Sequence, residues 1–210
     1  MIFDDSALAS LKSMVKRRLS EKRYLHTLGV ERMARHLGKI LLPDRLGELS
    51  AAALLHDIVK EMSTEEHLKL LEGLSEYTEE DIATIPALHS FAAVQYVKRE
   101  LPQYATNDIL SAIKNHTLGA PGMSVFDEII FISDYAEDGR TYPICVEVNR
   151  YLKDNIKPDK GFEENMVSLH KASLKATDST VSSLTQRKAR VNSRTLSTKK
   201  YLEQTTKNSF

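Results

Sequence analysis

A chain of 210 residues with 29 Lys/Arg balanced by 29 Asp/Glu and a single cysteine carries no net field that calls for nucleic acid or an anionic membrane as partner, and it excludes an intrachain disulfide or a multi-thiolate metal site. A hydrophobic share of 41% with only 8 glycines and 6 prolines excludes a disordered chain. The length fits one domain with a peripheral extension; with no signal pattern and no apolar run of about 20 residues, the expected location is the cytoplasm.

Helical periodicity recurs and strand alternation does not, so the predicted class is all-α. Asp5 or Ser6 is expected to cap a first helix bearing Leu8, Leu11 and Val15, and Ser20 a second bearing Tyr24, Leu28 and Leu37. A third helix, over 45–60, is rich in Ala and Leu on several faces, the mark of a buried element, and contains "AALLHDIVK". Ser63 with Glu66 has capping-box spacing for a short helix ending near Gly73, and Thr78 opens another before Pro86. Further helices are expected over 87–101, from an Asn107 cap to about His116, from Ser124 to Glu137 and from Pro143 to about Tyr151, with "GAPG" and "KPDKG" as breaks. A long amphiphilic segment over 162–190 precedes a short final helix capped by Asn192 or Ser193. The expected division is a catalytic core over 1–160 and a helical extension over 161–210 packed on it.

From Lys160 onward ten basic residues face four acidic ones. They are scattered and lack aromatic interleaving, so a solvated helix face is favoured over a nucleic-acid contact; the other reading is a tail folded over the site to hold a polyanion.

The polar residues that stand out are His26, the adjacent His56 and Asp57, His89, His116 and Asp134, each on or at the end of a predicted helix. Helical proteins build metal sites by converging such side chains on the bundle interior. A lone histidine near apolar neighbours is more often a hydrogen-bonded core or surface residue than a ligand. The His56-Asp57 pair is harder to explain as packing, because an unpaired buried carboxylate costs several kcal/mol. His36 and His67 are expected on the surface and Tyr135 in the core, while His170 lies outside the constellation.

The ordered segments "RYLHTLGV", "ALLHDIVKEM", "ALHSFAA", "AIKNHTLG" and "MSVFDEIIFISDYAEDGR" resemble the HD-domain metal-dependent phosphohydrolases, and more narrowly the bacterial symmetrical diadenosine tetraphosphate hydrolases of the YqeK type, over 23–140. Ser133 stands where that family commonly has alanine. The resemblance implies an HD-domain helical bundle with additional C-terminal helices. It also implies a dinuclear site in which His26, His56, Asp57 and Asp134 hold one ion, and His89 and His116 with bridging Asp57 hold the other. The metals implied are two divalent or mixed-valence ions, iron first; imidazole and carboxylate donors suit manganese, cobalt or zinc as well. Two such ions about 3.5–4 Å apart bind phosphate oxygens and lower the pKa of a bound water, which fits cleavage of a dinucleoside tetraphosphate into two ADP.

Asp57 and Lys60 are the implied catalytic residues, and Arg23, Lys60, His89, His116, Thr117 and Arg140 the implied substrate contacts. By spacing alone Lys60 could equally cap a helix dipole, Thr117 a turn, and the two arginines could form surface ion pairs. The expected partner is a small nucleotide, with a second copy of the chain in a homodimer at most. The competing functions are another HD-type nucleotide phosphatase or phosphodiesterase, or a nucleotide-sensing module without turnover.

Overall fold

The computed structural model describes residues 3–207. Among them are eleven α-helices, three short 3-10 turns and no strand, so the chain is all-α as expected. In chain order the helices are α1 (Asp5–Arg18), α2 (Glu21–Leu41), α3 (Leu46–Leu55), α4 (Thr64–Leu71), α5 (Glu79–Ala83) and α6 (Leu88–Glu100). They continue with α7 (Asn107–Asn115), α8 (Val125–Ala136), α9 (Pro143–Asn155), α10 (Phe162–Gln186) and α11 (Ser193–Lys207). None is long and apolar enough to cross a membrane.

The hub is α3, which buries every residue from Leu49 to Leu55 and packs against α1, α2, α7 and α8. Alanines on several of its faces let four helices approach closely, and each fully buried leucine such as Leu54 contributes roughly 1.5–3 kcal/mol. Contrary to the expected span of 45–60, α3 stops at Leu55, so His56 and Asp57 lie on the turn after it. The reason is local. Nδ1 of His56 donates to the Ala53 carbonyl at 2.6 Å, the acceptor that a continuing α-helix would give to the Asp57 N–H. The backbone then tightens into shorter loops, with Ile58 N–H on Leu55 O at 3.1 Å and Lys60 N–H on Asp57 O at 2.9 Å.

Other boundaries follow their caps. Ser20 caps α2, and both Ser63–Glu66 and Thr78–Asp81 form complete capping boxes. Two expected caps move earlier by one or two residues: Asp4 rather than Asp5 or Ser6 accepts from Ala7 N–H, and Thr106 rather than Asn107 accepts from Ile109 N–H. In each case the earlier residue has the extended backbone that aims its oxygen at the third following N–H. The final helix is fifteen residues long rather than short, held at its start by Asn192 Oδ1 on the Arg194 N–H. His67, expected on the surface, is 6% exposed and donates from Nε2 to Val59 O at 2.7 Å. Its helix packs on α6, which carries the imidazole onto the turn that follows α3.

α10 lies across α8 and α9, and α11 packs along α10. His170 ties α10 to the buried Glu128 of α8 at 2.8 Å. Several cations of the basic tail are engaged locally: Lys199 with Asp178 at 2.5 Å, Lys160 with Glu164 at 2.9 Å and Arg194 with Asp81 at 2.8 Å.

The turn between α10 and α11 is a Schellman motif, with Ala189 N–H on Leu184 O and Lys188 N–H on Thr185 O. Its left-handed position is Lys188, at φ 53°, where glycine is the unstrained choice. Lys188→Gly should stabilise the fold by about 1 kcal/mol and raise Tm by roughly 2–4 °C in a calorimetric scan; an unchanged Tm would mean that the motif carries no strain.

Candidate metal centre

The site is assembled at helix ends. The first turns of α2 supply Arg23 and His26, the turn after α3 supplies His56, Asp57 and Lys60, and the start of α6 supplies His89. His116 and Thr117 follow the end of α7, Asp134 sits in the last turn of α8, and Arg140 lies in the loop beyond. All ten residues singled out in the sequence meet in one place.

Asp57 is the centre of the arrangement. Its Oδ2 faces His56 Nε2 at 3.4 Å and His26 Nε2 at 3.9 Å. Its Oδ1 faces His89 Nε2 at 3.2 Å and His116 Nε2 at 3.7 Å. On the first side Asp134 Oδ1 closes a trio with His26 Nε2 at 3.0 Å and His56 Nε2 at 3.8 Å. On the second, the Nε2 atoms of His89 and His116 stand 3.1 Å apart. Two overlapping groups of donor atoms, His26–His56–Asp134 and His56–Asp57–His116, are each compact enough to hold an ion; they share His56, whose single free nitrogen can serve only one of them, and His89 adjoins the second.

The donors are aimed inward by partners behind them. Nδ1 of His56 and of His116 each donates to the carbonyl three residues earlier, Ala53 at 2.6 Å and Ile113 at 2.7 Å. Nδ1 of His26 meets Glu137 Oε1 at 3.2 Å. With the proton held on Nδ1, the Nε2 lone pair points into the centre, the arrangement of metal-ligating imidazoles. The fit can be tested on the polar atoms left over: Nε2 of His26, Nε2 of His56 and Oδ1 of Asp57 are buried without a hydrogen-bond partner. Three orphaned acceptors converging in one buried place are costly unless a cation completes them, and nitrogen and oxygen donors without thiolate suit a first-row transition metal.

Electrostatics point the same way. Burial pushes the Asp57 carboxyl up, but the close approach of the imidazoles of His56, His116 and His89 holds it well below the usual carboxylate range. Asp134 is likewise held low: burial opposes ionisation, and His26, His56 and Arg140 outweigh it. Burial pulls His89 down to about 4, the nearby Asp57 only partly opposing it, so its ring is neutral and available as a donor over most of the pH range. Arg23 holds Asp57 Oδ2 at 2.9 Å and Arg140 holds Asp134 Oδ1 at 2.7 Å. Lys60 Nζ lies 3.0 Å from His89 Nε2, and Thr117 Oγ1 3.3 Å from the same atom. Burial lowers the Lys60 pKa, with Arg23 and Arg140 adding to the effect against Asp57 and Asp134.

One residue escaped the sequence reading. Glu137 was expected inside a helix, yet α8 ends at Ala136 and Glu137 is extended, at φ −61° and ψ 158°, which turns its carboxylate back onto His26. It is 4% exposed and also accepts from the Gly139 N–H. Gly29, one turn after His26, makes the space: a Cβ there would stand 2.1 Å from Glu137 Oε2. A carboxylate three residues after a candidate ligand, paired with a glycine three residues after a candidate histidine, was the available signal.

An open cleft of about 790 Å³ reaches the centre from the His26 side. Lys22, Arg23, Arg32 and Arg140 line it with Glu21, Glu61 and Glu137, and no residue of the basic C-terminal segment does.

The family model described as the HD domain matches residues 23–148. The chain is 33% identical over 145 residues, 68% of it and 75% of the relative, to a Halalkalibacterium halodurans protein named bis(5'-nucleosyl)-tetraphosphatase, symmetrical. A Bacillus subtilis protein of the same name is 33% identical over 147 residues, with the same shares. The crystal structure of a "predicted HD superfamily hydrolase involved in NAD metabolism" from Clostridium acetobutylicum superposes with a TM-score of 0.78 at 29% identity, covering 94% of this chain and 97% of its own.

Two outcomes follow from this geometry. Gly29→Ala should push Glu137 off His26 and weaken metal binding by roughly 10- to 100-fold, measured by competition with a chelator; unchanged affinity would leave Glu137 without a role. Burial opposes protonation of His26, yet Asp134 and Glu137 raise its pKa overall. A protonated ring cannot ligate, so metal affinity should fall as pH drops through that raised pKa, beginning above the ordinary 6.5. Affinity constant from pH 8 to 5 would exclude His26 as a ligand.

Proposed function

The chain belongs to the HD domain family and is a hydrolase, and from that premise we propose that it cuts dinucleoside polyphosphates symmetrically, diadenosine tetraphosphate to two ADP, at a dinuclear centre. The observation that carries the reading is the Asp57 carboxylate shared between two sets of imidazoles, opening on a cleft lined by four cations. His26, His56, Asp57 and Asp134 would hold one ion, and Asp57, His89 and His116 the other. Iron is the first choice, with manganese, cobalt or zinc compatible with the same donors. When bound, the metals supply Lewis acidity and an activated water.

The protein's own part is positioning and charge. Arg23 and Arg140 sit on the rim of the cleft, each already holding a carboxylate of the centre, so both can present their remaining N–H groups to phosphate oxygens. Lys60 and Thr117 stand on the opposite side, beside His89, where an ammonium and a hydroxyl can stabilise charge that builds up as a P–O bond breaks. The two sides bracket a polyphosphate between cations, which favours the long anhydride of a dinucleotide over a single phosphate. Similarity to relatives named symmetrical bis(5'-nucleosyl)-tetraphosphatases supports this choice of substrate.

Metal-loaded protein should release ADP alone from diadenosine tetraphosphate; AMP with ATP would contradict the symmetrical cut. Asp57→Ala should lose metal and activity together, and an active, metal-free variant would sink the mechanism. Lys60→Met should keep its metal and lower kcat by roughly 100-fold, whereas full activity would remove Lys60 from the chemistry.

A further inference from the structure

Two of the groups behind the candidate ligands come from one short turn. Glu137 stands behind His26, and Arg140 donates through Nε and Nη2 to the Asp134 carbonyl at 2.9 and 2.7 Å and through Nη2 to Asp134 Oδ1 at 2.7 Å. The turn is closed by the Arg140 N–H on Glu137 O at 3.0 Å and by the Gly139 N–H on Glu137 Oε2 at 2.5 Å. All these bonds within 134–140 fix the shape of the turn but not the direction in which the chain leaves α8.

That direction has to be set from outside. A helix end leaves carbonyls without partners, and a residue in the left-handed region commonly returns the chain to cover them. No residue over 136–140 has a positive φ. Instead Asn149, on α9, covers the last carbonyl: its Nδ2 donates to Ala136 O at 2.6 Å and to Asp138 Oδ1 at 2.9 Å. The two acceptors flank Glu137. Where the backbone is extended, as it is at Glu137, successive side chains point to opposite sides. A clamp that draws Asp138 toward α9 therefore turns Glu137 the other way, onto His26.

Asp138 has a second partner in Lys153, but both side chains of that ion pair are close to half exposed, at 55% and 43%, and such a pair contributes little. Asn149 is half-buried, and of the two it is the one that reaches the backbone of α8. Its own helix is a firm base: Val148 and Leu152 are fully buried, and α9 packs against both α8 and α10. Asn149 stands one residue past the stretch matched by the HD domain model.

We propose that Asn149 is a positioning residue for the metal centre: it holds the chain on both sides of Glu137 and thereby keeps the Glu137 carboxylate on Nδ1 of His26. The inference rests on the metal reading of the centre and adds a residue of α9 that acts on it through the turn after α8.

The test is the affinity of the full-length protein for Co²⁺ and Mn²⁺, measured by competition with a chelator. Asn149→Leu and Asn149→Asp keep the approximate size of the side chain and remove its donors, and melting curves of the metal-free proteins establish that each is folded. Each should bind both ions roughly ten-fold more weakly, the lower end of the effect of losing a partner behind a ligand. In a Glu137→Ala background, where the carboxylate is already gone, Asn149→Leu should weaken binding by no more than about two-fold further. Lys153→Met, which takes only the exposed partner from Asp138, should stay within about two-fold of the unsubstituted protein. Unchanged affinity in either folded Asn149 variant, an equal loss with and without Glu137, or an equal loss from Lys153→Met overturns the assignment alone. Failure of the unsubstituted protein to bind either ion overturns the metal reading and the assignment with it.

Discussion

Everything in the centre is arranged around a carboxylate that is almost wholly buried. Asp57 presents one oxygen to His26 and His56 and the other to His89 and His116, so four imidazoles contributed by α2, α6 and the ends of α3 and α7 converge through a single side chain. A lone ion in such a place would be strongly disfavoured. It is tolerated because Arg23 at 2.9 Å and the imidazoles on both faces favour its charge. The constraint runs outward to the fold, since helices that meet nowhere else in sequence must end within a few ångströms of this atom pair.

How they end there is a matter of backbone accounting. A helix C-terminus leaves carbonyls without partners, and at both α3 and α7 a histidine at the C-cap takes the carbonyl three residues before it. The same hydrogen bond stops the helix, fixes the tautomer and directs Nε2 inward. Helix termination and ligand orientation are one event at these two positions, which ties the site to the hub of the fold: α3 is buried along its whole second half, and its last carbonyls set the angle of His56.

The constellation was readable in sequence because the histidines and aspartates are set in apolar helical runs, and burial of so many ionisable groups has few explanations; the division of these residues into ligand sets was implied by the resemblance of the ordered segments to HD-domain phosphohydrolases. Ser20, Ser63 and Thr78 cap where their side chains dictate. What escaped depends on geometry that periodicity does not encode. The apolar run 52–60 looks like unbroken helix, but the His56 side chain competes for the Ala53 carbonyl and ends it. His67 reads as exposed among charged neighbours, yet Val59 O lies within reach once the chain doubles back. Glu137 reads as one more helical acid until the backbone turns extended and the missing Cβ of Gly29 admits it.

Charge around the centre is distributed unevenly. Arg23 holds Oδ2 of Asp57 at 2.9 Å and Arg140 holds Oδ1 of Asp134 at 2.7 Å, so both guanidinium groups are fixed on the His26 side, where the cleft opens. On the other side the neighbours of His89 are Lys60 and Thr117, and burial draws the Lys60 pKa down. An anion that approaches through the cleft therefore meets anchored guanidinium charge before it meets the buried lysine, and the two carboxylates that orient those arginines are the same ones around which the imidazoles converge.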